Sequence, residues 1–91
     1  MNPELVRAIR EKRRLACVYN GKPRLVEPQC YGEGTNGELL RVYQPAGGSE
    51  REPLFTVAKM AQLVVLDERF EHPGPNYRKN HSAMKRIFAQ L

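Results

Sequence analysis

Glu38-Leu39-Leu40-Arg41-Val42-Tyr43-Gln44, then Pro45-Ala46-Gly47-Gly48-Ser49, then Leu54-Phe55-Thr56-Val57-Ala58-Lys59-Met60 is the stretch that decides the fold. Two short apolar runs with β-type alternation flank a Gly-rich reversal, which is how a hairpin reads in sequence. Alternation puts Leu40 and Val42 on one face, and Leu39, Arg41 and Tyr43 on the other. An arginine between apolar neighbours either lays its stem on apolar surface with its head in water, or meets an anion in a pocket. The first arrangement is the commoner. Leu54–Val57 reads as the returning strand. A short turn over Ala58–Ala61 then leads into Gln62-Leu63-Val64-Val65-Leu66, another strand.

Upstream, Leu15–Tyr19 is a strand by residue type, and Asn20-Gly21 is a strong hairpin turn into Arg24–Glu27. Pro28 restricts this second strand to an edge, an end or a bulge, after which Gln29-Cys30-Tyr31 continues it. Gly32–Gly37 reads as a loop. It is not a phosphate-binding loop, because no Gly-Lys-Ser/Thr follows and the next element is a strand. Five short strands over residues 15–66, with turns at close intervals, predict a small barrel.

Helices are predicted on both sides of it. Asn2 can cap, Pro3 suits the first helical position, and Glu4 favours the dipole. Leu5, Val6, Ala8 and Ile9 form an apolar stripe, so residues 1–13 hold a helix from Pro3 to about Lys12. Residues 67–75, with Pro73 and Pro75, read as a linker. Residues 76–91 then read as a second helix, with Tyr77, His81, Met84, Ile87, Phe88 and Leu91 at spacings of three and four. Arg78, Lys79, Lys85 and Arg86 fall largely on its opposite face.

The length of 91 residues suits one small domain, and 41% hydrophobic with 27% charged residues suits a folded chain. No apolar run approaches the ~20 residues of a membrane span, and the start lacks the apolar core of a secretory signal. A cytoplasmic protein with no membrane contact is the expectation. Cys17 and Cys30 are expected to be free thiols, with Cys17 opposite the Val26–Glu27 region.

Charge is unevenly spread. Residues 1–24 carry a net +5, residues 25–71 a net −4 and residues 72–91 a net +4. Basic ends can build a nucleic-acid surface, or they can pack on the acidic middle and on water. The densest cluster, Arg10, Lys12, Arg13 and Arg14, is either a phosphate surface or a helix end where the dipole favours cations. Arg78, Lys79, Lys85 and Arg86 are the second such surface. Catalysis is not expected. The two serines, Ser49 and Ser82, stand at no strand-to-helix elbow, and His72 and His81 fit no common metal-ligand spacing. Neither a metal nor a cofactor is expected.

The order Ala8-Ile9, Leu15, Tyr19-Asn20-Gly21, Arg24-Leu25-Val26-Glu27-Pro28, Glu38–Tyr43 and Leu54–Met60 resembles the WYL domain over roughly residues 5–66. R-x-V-E-P after the first hairpin is its best mark. Leu40 matches the leucine of the naming triplet, with Glu38 and Leu39 before it. Phe55–Met60 matches a later motif close to F-R-L-D-R-I, with Lys59 at its second arginine. The resemblance implies a five-stranded SH3- or Sm-like barrel. It also implies a sensory module of bacterial transcription regulators, binding a nucleotide or single-stranded nucleic acid. Since WYL domains usually follow a winged helix, for which this chain has no room, a stand-alone domain acting in trans is implied. Carried over by position, the ligand contacts are Arg24, Arg41 and Lys59, with Tyr19 and Tyr43 stacking or supporting. The alternative is a protein-interaction module, a homodimer or a partner of a regulatory protein, that takes no small ligand.

Overall fold

The computed structural model describes residues 1–45 and 50–91, so the Ala46–Ser49 part of the Gly-rich reversal lies outside the described residues. The chain is mainly β. Its order is α1 (Pro3–Arg10), β1 (Arg13–Tyr19), β2 (Lys22–Gly34), β3 (Gly37–Tyr43), β4 (Leu54–Thr56), a 3₁₀ turn (Val57–Lys59), β5 (Met60–Arg69) and β6 (Arg86–Gln90). The hairpin over residues 38–60 is present: Leu40 faces Phe55, and Arg41 faces Leu54.

β2 holds the sheet together. Its first half pairs with β1 and its second half lies between β3 and β6, every pairing being antiparallel. The bend between the halves falls at Pro28, where the register with β3 slips between Pro28 and Cys30. A proline cannot donate to the ladder, and a bulge accommodates that loss. The sheet is not closed: β4 and β5 stand at opposite ends of the order β4-β3-β2-β1-β5, with β6 on β2. α1 packs against β1, β2, β5 and β6 and buries Leu5, Val6, Ala8 and Ile9 on Leu15, Val26, Tyr31, Leu40, Val42 and Phe55. No helix of the described residues is long and apolar enough to cross a membrane.

Several sequence expectations are corrected. Residues 76–91 are not a helix: turns and bends run to Lys85, and Arg86–Gln90 form β6. Asn80 has φ +57°, which interrupts a right-handed helix, and a short helix is marginal without packing. The outer edge of β2 offers a ladder instead, and Ile87 pairs with Gly32. That makes six strands among the described residues, not five. α1 ends at Arg10 because Lys12 takes φ +52°. β5 continues through residues 67–69, which were expected to be linker, since Arg69 pairs with Arg13. Gly32–Gly34 belong to β2 and not to a loop. The Asn20-Gly21 turn, with φ of +52° and +74°, sets Tyr19 against Lys22 and therefore Cys17 against Arg24. Both cysteines are free and buried.

The N-terminus is fastened by the fully buried Tyr31. Its hydroxyl accepts from the Asn2 N–H at 2.7 Å and donates to the Glu38 carboxylate. Burial first, and the neighbouring carboxylate second, push this phenol up to about 12.

Candidate functional site

The Asn20-Gly21 hairpin brings Tyr19 and Arg24 to one end of the core, beside Phe55 of β4. Tyr19 and Phe55 stack with centroids 4.0 Å apart and planes 9° from parallel. The Arg24 guanidinium carbon lies 6.0 Å from the Tyr19 centroid and 5.9 Å from that of Phe55, at the reach of a cation–π contact. Phe55 is 2% exposed, so the aromatic surface of the stack that meets solvent is Tyr19's. The Tyr19 hydroxyl is not idle either: it accepts from the Thr56 N–H at 3.0 Å and ties β1 to β4.

Arg24 is held from two sides. Its Nη1 donates to Gln44 Oε1 at 3.1 Å and its Nη2 to the Tyr19 carbonyl at 3.5 Å. Its Nε is buried and makes no hydrogen bond among the described residues. A guanidinium has five N–H donors; with Nε buried, the capacity left for an incoming acceptor is on the two terminal nitrogens. Gln44 is itself fixed, donating to the Glu50 carbonyl at 2.7 Å. Together with the exposed Asn20 and Glu50 these residues line a cavity of about 240 Å³. That is slightly below the ~300–1,000 Å³ of usual small-molecule sites.

The other expected ligand residues lie elsewhere. Arg41 and Tyr43 are on the opposite face of β3, under the segment before β6. Arg41 Nη1 contacts His81, and a Cβ built at Gly74 would lie 2.7 Å from Tyr43 Cδ1. Lys59 is exposed on the 3₁₀ turn and does not line the Arg24 cavity. The basic cluster near α1 is partly neutralised. Arg13 pairs with Glu11 at 2.9 Å, and Arg14 bridges Glu27 at 2.8 Å and Glu68 at 2.7 Å. Arg10 and Lys12 remain exposed, as do Arg78, Lys79, Lys85 and Arg86, which stand in the irregular segment before β6 and at its start.

Phe55, Gln44 and Glu50 are the site residues that sequence reasoning missed. Alternation along β4 was the available signal for Phe55. Nothing local marked Gln44, which reaches Arg24 only because β2 and β3 are neighbours. The Cys17 thiol, on the same face as Arg24, is raised by burial, with Arg24 acting in the opposite direction, so it is no activated nucleophile. Among the described residues no group of three His, Cys, Asp or Glu side chains could hold a metal. Comparison with protein-family models, with curated proteins and with solved structures finds no match to this chain.

Proposed function

We propose that this protein is a non-catalytic binding module, a WYL-like domain with an SH3-like strand arrangement, that takes a nucleotide or a segment of single-stranded nucleic acid. One observation carries this reading: a partly satisfied Arg24 guanidinium beside a Tyr19–Phe55 stack at the mouth of a cavity. A cation for a phosphate and an aromatic surface for a base are the two elements of single-strand recognition. Glu50 and Asn20 in the lining offer an acceptor and a donor to a base edge, and Glu50 disfavours a second phosphate there. The resemblance to WYL domains points the same way, because Arg24 is the arginine of R-x-V-E-P. A cytoplasmic setting goes with this reading, and two free thiols suit a reducing compartment.

The test is a fluorescence-polarisation titration with labelled mononucleotide and with short single-stranded DNA and RNA, at low and high salt. Binding should weaken as salt rises and fall at least tenfold in Arg24→Gln, while Arg41→Gln leaves it unchanged. No binding at low salt, or an unaffected Arg24→Gln variant, overturns the proposal.

A further inference from the structure

We propose that β5 is a contact surface between two copies of this chain, paired antiparallel about a twofold axis near Leu63 and Val64. β5 ends the strand order, and among the described residues it has a ladder only with β1. Its outer edge therefore presents unpaired backbone groups, a template for another strand. The seven residues Met60–Leu66 contain no charge and no proline, the usual guards of such an edge.

Two observations select a second copy as the occupant. The first is an apolar row on the outer face. Ala16 pairs with Leu25 on one side and with Val64 on the other, and Leu25 and Val64 are 40% and 53% exposed. The row runs across three strands and stops at the open edge. A twofold axis beside Leu63 continues it into the same row of the partner copy, and sets the two Val64 side chains diagonally across the seam.

The second is charge. Lys59 precedes the uncharged run, and Asp67 and Glu68 follow it. Antiparallel pairing brings Lys59 of one copy to the Asp67 end of the other, and symmetry makes this contact twice. Parallel pairing would set like charges together. Asp67 is fully exposed and 3.8 Å from its nearest cation, Arg13, so it is free to turn towards a partner. The register with β1 slips on either side of Val64–Val65, and Gln62 takes φ +52°. The flat part of the edge is therefore short, and the dimer belongs to the weak, concentration-dependent class. None of the residues lining the Arg24 cavity lies in β5, so this inference stands apart from the ligand reading.

Sedimentation velocity from low micromolar to millimolar protein tests it. The wild type should shift from monomer to dimer across this range. Val64→Lys should remain monomeric with an unchanged circular-dichroism spectrum. Lys59→Glu should dimerise at least severalfold more weakly, and Lys59→Glu with Asp67→Lys should recover. A wild type that stays monomeric throughout overturns the proposal, as does a dimer indifferent to either single change.

Discussion

Arg41 Nη1 lies 2.6 Å from His81 Nε2, which joins the outer face of β3 to the segment leading into β6. The other ring nitrogen, Nδ1, accepts from the Ala83 N–H at 3.1 Å. Both nitrogens thus face donors, so the one proton of the neutral ring already meets a donor, and a second would add a positive charge beside Arg41.

A pH dependence follows. Burial first, and the Arg41 charge second, hold His81 below its ordinary 6.5. The unfolded chain therefore takes up this proton at a higher pH than the folded one does, and stability falls as pH drops from about 6.5 towards the depressed value. Glu38, lowered chiefly by its bond from Tyr31, adds its own loss only below its ordinary 4.5. Urea midpoints measured from pH 7.5 to pH 5 isolate the histidine contribution. His81→Gln should flatten the slope in that window, and an equally steep profile in the variant would refute the assignment.

β6 rests on a glycine. A Cβ at Gly32 would lie 2.2 Å from the Arg86 carbonyl oxygen and 2.8 Å from Met84 Sδ. The first neighbour is backbone in a paired strand and cannot turn aside. Gly32→Ala should therefore push β6 off β2 and cost about 2–4 kcal/mol, at the upper end of single-residue effects. Hydrogen exchange should show amides 86–90 losing protection while the β1–β2 hairpin keeps its own. Retained protection would mean that β6 tolerates the methyl group.

Glu52 is a buried carboxylate that staples the same segment. It accepts from Gln29 Nε2 at 3.1 Å and from the Asn76 N–H at 2.8 Å, while Gln29 Oε1 accepts from the Gly74 N–H at 2.5 Å. Glu52→Ala leaves the buried Gln29 Nε2 without an acceptor, at about 1–3 kcal/mol, and frees the half-buried Asn76 N–H. Its denaturation midpoint should fall by more than that of Glu50→Ala, since Glu50 is exposed and Glu52 is 4% exposed. Equal midpoints would show the staple to be dispensable.

How far the sequence discloses this molecule depends on whether the signal is local. The β3–β4 hairpin, the Asn20-Gly21 turn and the Pro28 bulge are written in neighbouring residues, and each is found where its residues stand. The end of the chain is different. Tyr77, His81, Met84, Ile87 and Phe88 have helical spacing, yet β6 forms because β2 has an edge to fill, and no local window contains that edge. The site divides in the same way. Tyr19 and Arg24 flank one turn and meet, whereas Arg41 and Tyr43 fall on the face opposite the core because of strand alternation. Gln44 and Glu52 become structural only through partners 20 and 23 residues away.

The Tyr19 ring and its hydroxyl can be separated. The hydroxyl accepts from the Thr56 N–H, while the ring stacks on Phe55. Tyr19→Phe removes the first and keeps the second. It should cost about 1 kcal/mol of stability, the net worth of one hydrogen bond, and leave nucleotide affinity within about twofold. Tyr19→Leu removes both and uncovers the buried Phe55 face. It should lose the stacking contribution to a bound base, worth about 1–3 kcal/mol, which is roughly 5- to 150-fold in Kd. Parallel titrations and urea melts of the two variants check this. If both bind as the wild type does, the ring is packing for the end of the core, and the ligand is held by Arg24 without a stack.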